Sequence, residues 1–388
     1  MRSIFLSASF MLIACSSTST PNVTSSPGGS GDTAPADATK GLARVGSWQL
    51  PPSAFINVPA APSSSGGAPA PAPSPAQVAH THCGWIGAGD TVGEASFVAN
   101  AAQFDYVHPK WFTINSDGVN VHAVGNTDLA SVVQAAKTNH VKLMPLVDSD
   151  SVNDLRTMLS SPANISAHVA NLVALVKTHG YAGLDMDYEH LWTSADRAPF
   201  ISFVQQLAAG LHAAGAELSL AIPGLGYDNG QSAYDYAAMA SAVDVLHVMG
   251  YDFHYLGGDH LGPLAPSAWI DAVFARAATT GHADKFILGV ANYAIGNGWW
   301  TTAHDAASRC TSTPATTTDE YMTCSYDHYA DGRVQHCSTA QGDLWFEDVA
   351  SMEEKLGIAR SHGGRGITYW TIGDELPGYF AMAKKYFP

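Results

Sequence analysis

The chain has 388 residues, 46% of them hydrophobic, enough for one large domain or two ordinary ones. Its 18 Lys and Arg against 34 Asp and Glu leave a formal charge of −16. Phosphate binding needs clustered cations, so this balance argues against nucleic acid or anionic lipid as a partner.

At the N-terminus Arg2 precedes an apolar run, Ile4 to Ile13, followed by Ala14-Cys15. The run is too short to span a bilayer but suits a signal-peptide core, so residues 1–14 are read as a signal peptide. Leu12-Ile13-Ala14-Cys15 resembles the lipobox of bacterial lipoproteins. That resemblance implies that Cys15 becomes an acylated N-terminus. The protein is then held at the bacterial cell envelope, at the outer membrane or cell surface, by lipid only, or else it is secreted. Residues 15–77 are rich in Ser, Thr, Pro, Ala and Gly, as in Ala68-Pro69-Ala70-Pro71-Ala72-Pro73, and read as a tether.

The ordered domain is expected over residues 78–388. Eight runs read as strands: His82–Ile86, Tyr106–Ile114, Leu143–Val147, Gly183–Tyr188, Leu218–Ile222, Val245–Tyr251, Phe286–Tyr293 and Gly366–Trp370. Helical stretches lie between them: Asp128–Thr138, Ile165–Thr178, Arg197–Ala214, Ser267–Thr279 and Phe346–His362. Strand–helix alternation over about 310 residues predicts an α/β fold, a (β/α)8 TIM barrel. The alternative, a doubly wound open sheet, lacks a Gly-rich phosphate loop after the first strand.

After the seventh strand comes a long excursion, residues 296–343, without clear periodicity. It is expected over the mouth of the barrel because it leaves the C-terminal end of a strand. It carries Cys310, Cys324 and Cys337; the fourth cysteine of the domain is Cys83. In an exported protein these four are disulfide candidates with three possible pairings. At least one bridge must then lie within the excursion, since Cys83 can take one partner.

The sharpest signal is Gly183-Leu184-Asp185-Met186-Asp187-Tyr188-Glu189. In a strand, alternate side chains share a face, so Asp185, Asp187 and Glu189 point one way, with neighbours about 7 Å apart. Leu184, Met186 and Tyr188 then face the surrounding helices. A row of acids inside a barrel is electrostatically costly. The carboxyls raise one another's pKa and share protons, which suits acid catalysis and serves no structural purpose. Glu189, at the C-terminal end of the strand, lies where barrel active sites are built.

The run resembles the D-G-x-D-x-D-x-E signature of glycoside hydrolase family 18, the chitinases and endo-β-N-acetylglucosaminidases, with Ala182 in place of the first Asp. Met249-Gly250-Tyr251-Asp252 is similar to the family's M-x-Y-D. Gly366-Ile367-Thr368-Tyr369-Trp370 is similar to the segment that supplies the Trp floor of the sugar pocket. Leu288 to Tyr293 resembles the seventh-strand segment, and Trp345-Phe346-Glu347-Asp348 with Ser351 and Lys355 the helix opening before the last strand. Tyr234-Asp235-Tyr236 resembles the spore-cortex glucosaminidase branch.

The resemblance implies a retaining glycosidase acting on β-1,4 bonds of N-acetylglucosamine-containing glycans, chitin or chito-oligosaccharides first, by substrate-assisted catalysis. Glu189 would be the acid, Asp187 the partner of the acetamido group, Asp185 its support, and Tyr251 a hydrogen-bond donor. Trp370, Asp252, Tyr293, Met249 and Trp111 would bind substrate. Peptidoglycan or N-glycan cleavage, and a lectin-like barrel without catalysis, are the alternatives. The presence of Glu189, Asp187 and Tyr251 separates the enzyme from the lectin.

No cofactor is expected, and the protein is expected to act as a monomer. The 17 histidines, His247 among them, show no H-E-x-x-H spacing, so no metal site is expected. No G-x-S-x-G elbow supports a serine hydrolase. For the lipobox, Cys15→Ser is expected to release or misprocess the protein. Fractionation checks this, and a soluble, unacylated wild type would refute the reading.

Overall fold

The computed structural model describes residues 81–149, 151–224, 232–256, 258, 261–296, 298–309, 315–316, 333–339 and 342–387. The expected signal peptide, Cys15 and the tether lie outside the described residues, as do Cys310 and Cys324.

Eight parallel strands form the centre: β1 (Thr81–Ile86), β2 (Tyr106–Ile114), β3 (Leu146–Asp148), β4 (Gly183–Asp187), β5 (Glu217–Pro223), β6 (Val245–Met249), β7 (Phe286–Ala291) and β8 (Gly366–Trp370). Each pairs with its successor, and β1 pairs with both β2 and β8, so the sheet closes on itself. Strands such as β1 and β7 are buried on both faces, as a parallel sheet wrapped by helices requires. The expected (β/α)8 barrel is what forms.

Local chemistry sets the boundaries. The helix Pro162–His179 begins with Ser161 accepting from the Asn164 amide, has Pro at its first position, and ends at Gly180 with φ 69°. The run expected as one third strand is interrupted. Lys142–Leu143 pairs separately with β2, and β3 starts only after Pro145, which has no amide hydrogen to give a ladder. The helices Thr91–Asn100, Val152–Leu159, Tyr236–Ala242 and Tyr379–Tyr386 escaped the periodicity reading. Among the described residues no helix is long and apolar enough to cross a membrane.

The excursion after β7 is more ordered than its sequence suggests. It contributes an antiparallel sheet in the order Trp299–Thr302, Tyr293–Gly296, Gly342–Phe346, Arg333–Thr339, Ala315–Thr316. Tyr293, Ile295, Val334 and Trp345 pack on one side, and Ala294, Leu344 and Phe346 on the other. Both faces are covered, so the strands lack the apolar–polar alternation that marks a one-sided sheet.

Cys83 must be removed from the disulfide candidates. It is a free, fully buried thiol on β1, packed among Tyr106, Met144, Val245 and Ile287 inside the barrel. An inward-facing residue of β1 cannot reach an excursion that leaves the far end of β7. Cys337 lies on Arg333–Thr339, with its side chain outside the described residues.

The β4–β5 contact depends on a missing side chain. A Cβ at Gly183 would lie 2.1 Å from the Glu217 carbonyl oxygen. Backbone cannot rotate out of the way as a side chain can. Gly183→Ala is therefore expected to cost about 1–3 kcal/mol, the usual range for overpacking. Urea unfolding measures it, and an unchanged midpoint would show that β4 and β5 separate freely.

Candidate active site

The three acids leave the barrel interior along β4. Leu184, Met186 and Tyr188 are buried on the opposite face, and the Tyr188 ring stacks with His168 and Phe203 of the flanking helices, centroids 5.9 and 5.7 Å away. Tyr188 is anchored twice more: its hydroxyl lies 2.6 Å from His168 Nε2, and its carbonyl accepts from the Tyr234 hydroxyl at 2.7 Å. This outward anchor fixes the backbone of the next residue, Glu189. The alternation read from the sequence is the alternation that forms.

Asp185 is the innermost acid and fully buried. Its carboxylate accepts from Trp85 Nε1 at 2.7 Å and from the Ser219 hydroxyl at 2.6 Å. His108 Nδ1 and His247 Nε2 lie 4.0 and 3.8 Å from its oxygens. Burial alone would raise its pKa, but the two imidazoles and the two hydrogen bonds outweigh burial and hold it below the usual carboxylate value. Burial also lowers both histidines, His247 to about 3. The hydrogen bonds from Trp85 and Ser219 favour the ionised Asp185 whatever the charge of the two imidazoles.

The next two acids go the other way. Burial, then the charges of Glu189, Asp148 and Asp185, push Asp187 well above the carboxylate range. Burial, then Asp252 and Asp148, push Glu189 up to about 7. Lys110, ion-paired with Asp148, pulls both partly back. One carboxylate held ionised beneath two that keep their protons is a separation that assigns acid and base roles.

Opposite β4 stands the wall formed at the end of β6. Tyr251 and Tyr293 meet edge to face at 6.1 Å, and the Tyr293 hydroxyl donates to Asp252. Asp252 has φ 60°, a left-handed conformation that Asp tolerates better than most residues and that turns the chain sharply after the strand. Burial raises Asp252 to about 6 against the Tyr293 hydrogen bond. Burial and the nearby acids push the Tyr251 hydroxyl well up, so it remains a hydrogen-bond donor. Trp370, half-buried at the end of β8, packs against Trp85 at 5.8 Å and, with Tyr251, against the excursion cluster of Ile295, Val334 and Trp345. Met249 ends β6, half-buried.

Trp111 is not brought to this site. It is 3% exposed, and its ring packs 6.2 Å from Tyr181, whose hydroxyl donates to Asp128. It belongs to the packing beside β2. His108 and Lys110 point inward, to Asp185 and Asp148, so the two-residue alternation of the strand already turns Trp111 to the outer face.

Sequence reasoning missed the support of Asp185. Trp85, His108, Ser219 and His247 sit on four different strands, and so lack any short spacing. Lys110 and Asp148 were missed for the same reason. Ala182, in the place of the first signature Asp, packs against the apolar cluster that contains Cys83 and Met144. Sequence spacing also gave no sign that donor atoms of Cys83, His108 and His247 all lie within 4.8 Å of one another.

A closed parallel barrel with carboxyls of divided pKa at its C-terminal rim has the architecture and the site of a barrel glycosidase. Residues 88–375 match the family described as glycosyl hydrolases family 18, a stretch that contains Asp185, Asp187, Glu189, Tyr251, Asp252 and Trp370. The chain belongs to that family.

It is 30% identical over 255 residues, 60% of this chain and 57% of the other, to a Bacillus subtilis (strain 168) protein named as a sporulation-specific glycosylase, YdhD. It is 24% identical over 276 residues to the cortical fragment-lytic enzyme of Bacillus subtilis (strain 168), spanning 65% of this chain and 61% of that one. Both matches cover less than two thirds of the relative's length. The fold is shared with a chitinase from Chromobacterium violaceum ATCC 12472, with a TM-score of 0.68, 22% identity, and coverage of 79% of this chain and 99% of that chain.

Raised folded pKa values make stability depend on pH. A carboxyl near 7 in the folded chain and about 4.3 unfolded keeps its contribution below the unfolded value. That contribution is lost as pH rises towards and through 7. Glu189→Gln removes this loss. The variant is expected to gain stability over wild type at pH 8 and little at pH 4, measured by denaturant melts. An identical pH dependence in both proteins would mean that Glu189 is not the destabilised carboxyl.

Proposed function

We propose that the chain hydrolyses β-1,4 bonds of N-acetylglucosamine-containing glycans with retention, the substrate's acetamido oxygen serving as nucleophile. The observation that carries this reading is Glu189 poised at about 7, above a protonated Asp187 and facing the wall of Tyr251 and Asp252. Glu189 gives its proton to the glycosidic oxygen as the bond to the anomeric carbon breaks. The acetamido oxygen closes on that carbon to form an oxazolinium ion. Asp187 meets the acetamido N–H and stabilises the cation, sharing its proton with Asp185. Tyr251 donates to the acetamido oxygen and holds it in line. Glu189, now ionised, takes a proton from the water that reopens the ring. Trp370 offers a flat apolar face beneath the sugar.

Chito-oligosaccharides are the first substrate to test. Peptidoglycan is a second reading, favoured by a specific observation: relatives with 30% and 24% identity carry names tied to sporulation and cortex lysis. Both polymers present the acetamido group that this chemistry needs. The excursion sheet, packed against Tyr251 and Trp370, supports a role in choosing between them. A lipid-anchored envelope location, with Cys15 as the anchor, is part of the same proposal.

Glu189→Gln is expected to lower hydrolysis by at least about 10²–10⁴-fold, the worth of positioned acid–base assistance, while glycan binding persists. Fully deacetylated chitosan is expected to resist the wild-type enzyme. Side-by-side digestion of chito-oligosaccharides, purified peptidoglycan and chitosan measures both. Near-normal turnover by the variant, or equal cleavage of chitosan, would overturn the mechanism.

A further inference from the structure

We propose that Cys83, His108 and His247 form a binding site for one thiophilic transition-metal ion inside the barrel, next to Asp185. The three residues come from β1, β2 and β6 and are fully or almost fully buried. Their donor atoms lie within 4.8 Å of one another. Side chains from three separate strands converge there only because the barrel is closed.

The imidazoles face this point with free nitrogens. His108 Nδ1 lies 3.0 Å from the Met144 carbonyl, which can only accept, so that nitrogen carries the hydrogen. His108 Nε2 therefore bears a lone pair, and it is buried without a partner. Both ring nitrogens of His247 are likewise buried and unpartnered. Buried polar atoms normally find partners, and three without one around a single free thiol need an explanation. A metal ion supplies it.

The surroundings suit a metal in two further ways. Histidine ligands usually hand their second ring N–H to a carbonyl or a carboxylate. Met144 provides the carbonyl for His108. An oxygen of Asp185 lies 3.8 Å from His247 Nε2, beyond hydrogen-bond distance but close enough to take its N–H after a small shift. The donor set is also of one kind, soft sulfur and imidazole nitrogen from three strands. One sulfur and two imidazoles exclude magnesium and calcium, which take oxygen ligands, and select ions of the zinc, cobalt and copper class. Zinc bonds of about 2.0–2.3 Å put donors roughly 3.3–3.8 Å apart, so the cluster contracts by about 1 Å on binding. The proposal invokes no step of glycoside cleavage and is read out by metal content, so it can fail while the proposed function holds, and the reverse.

The test is metal content. The whole chain is produced in zinc-supplemented medium, dialysed and analysed by mass spectrometry for bound metal; about one zinc per chain is expected. A cobalt-loaded preparation is expected to show the near-ultraviolet thiolate-to-cobalt absorption of a Cys ligand. Cys83→Ser and His247→Gln are each expected to lose the ion and the band, with folding checked by circular dichroism. His362→Gln, at the distant pair with Asp271, is expected to keep both. Folded wild type with less than about 0.1 metal per chain and no cobalt band overturns the proposal, whatever the variants do. So does zinc that survives in Cys83→Ser.

Discussion

Three carboxyls on one face of a buried strand cannot all be ionised. Their mutual repulsion and the loss of water make a second and third charge prohibitively costly in a closed barrel. The structure resolves the conflict by giving all the strong donors to the innermost acid. Trp85 and Ser219 satisfy Asp185, and the charge fixed there helps to force a proton onto Asp187, above it. Burial and the neighbouring acids do the same to Glu189. Lys110, paired with Asp148, keeps the shift from going further. The protonation of the rim carboxyls is thus set partly from below, by what holds Asp185.

The same constraint demands rigidity. Divided pKa values persist only while the carboxyls stay at their separations. Tyr188, between Asp187 and Glu189, is buried outward and held by His168, Phe203 and Tyr234. The opposite wall is braced from outside the barrel. Asp348 caps its helix in a reciprocal pair with Ser351, and Lys355 of that helix is ion-paired in the interior with Glu347. The Tyr379 hydroxyl donates to the Glu347 carbonyl at 2.5 Å. These contacts hold the chain between the excursion sheet and β8, and so hold Trp345 against the cluster that touches Tyr251 and Trp370. Residues that resemble family motifs without touching a reacting atom act here as bracing.

The chain by itself determined its barrel and the row of carboxyls along β4. Eight strand runs separated by helical periods admit few architectures, because a parallel strand needs a crossover and a crossover needs a helix. The alternation from Gly183 to Glu189 placed three carboxyls on one face, because the two-residue period of a strand is a local property. Tyr251, Asp252, Tyr293 and Trp370 were legible through motifs at strand ends. Tertiary structure alone decided what surrounds those acids. Trp85, His108, Ser219 and His247 are brought to Asp185 by closure of the sheet, which no spacing along the chain encodes. It also packed Trp111 against Tyr181, and it buried Cys83 as a thiol beside two imidazoles. Local periodicity is written residue by residue, whereas side chains on different strands become neighbours only once β1 has paired with β8.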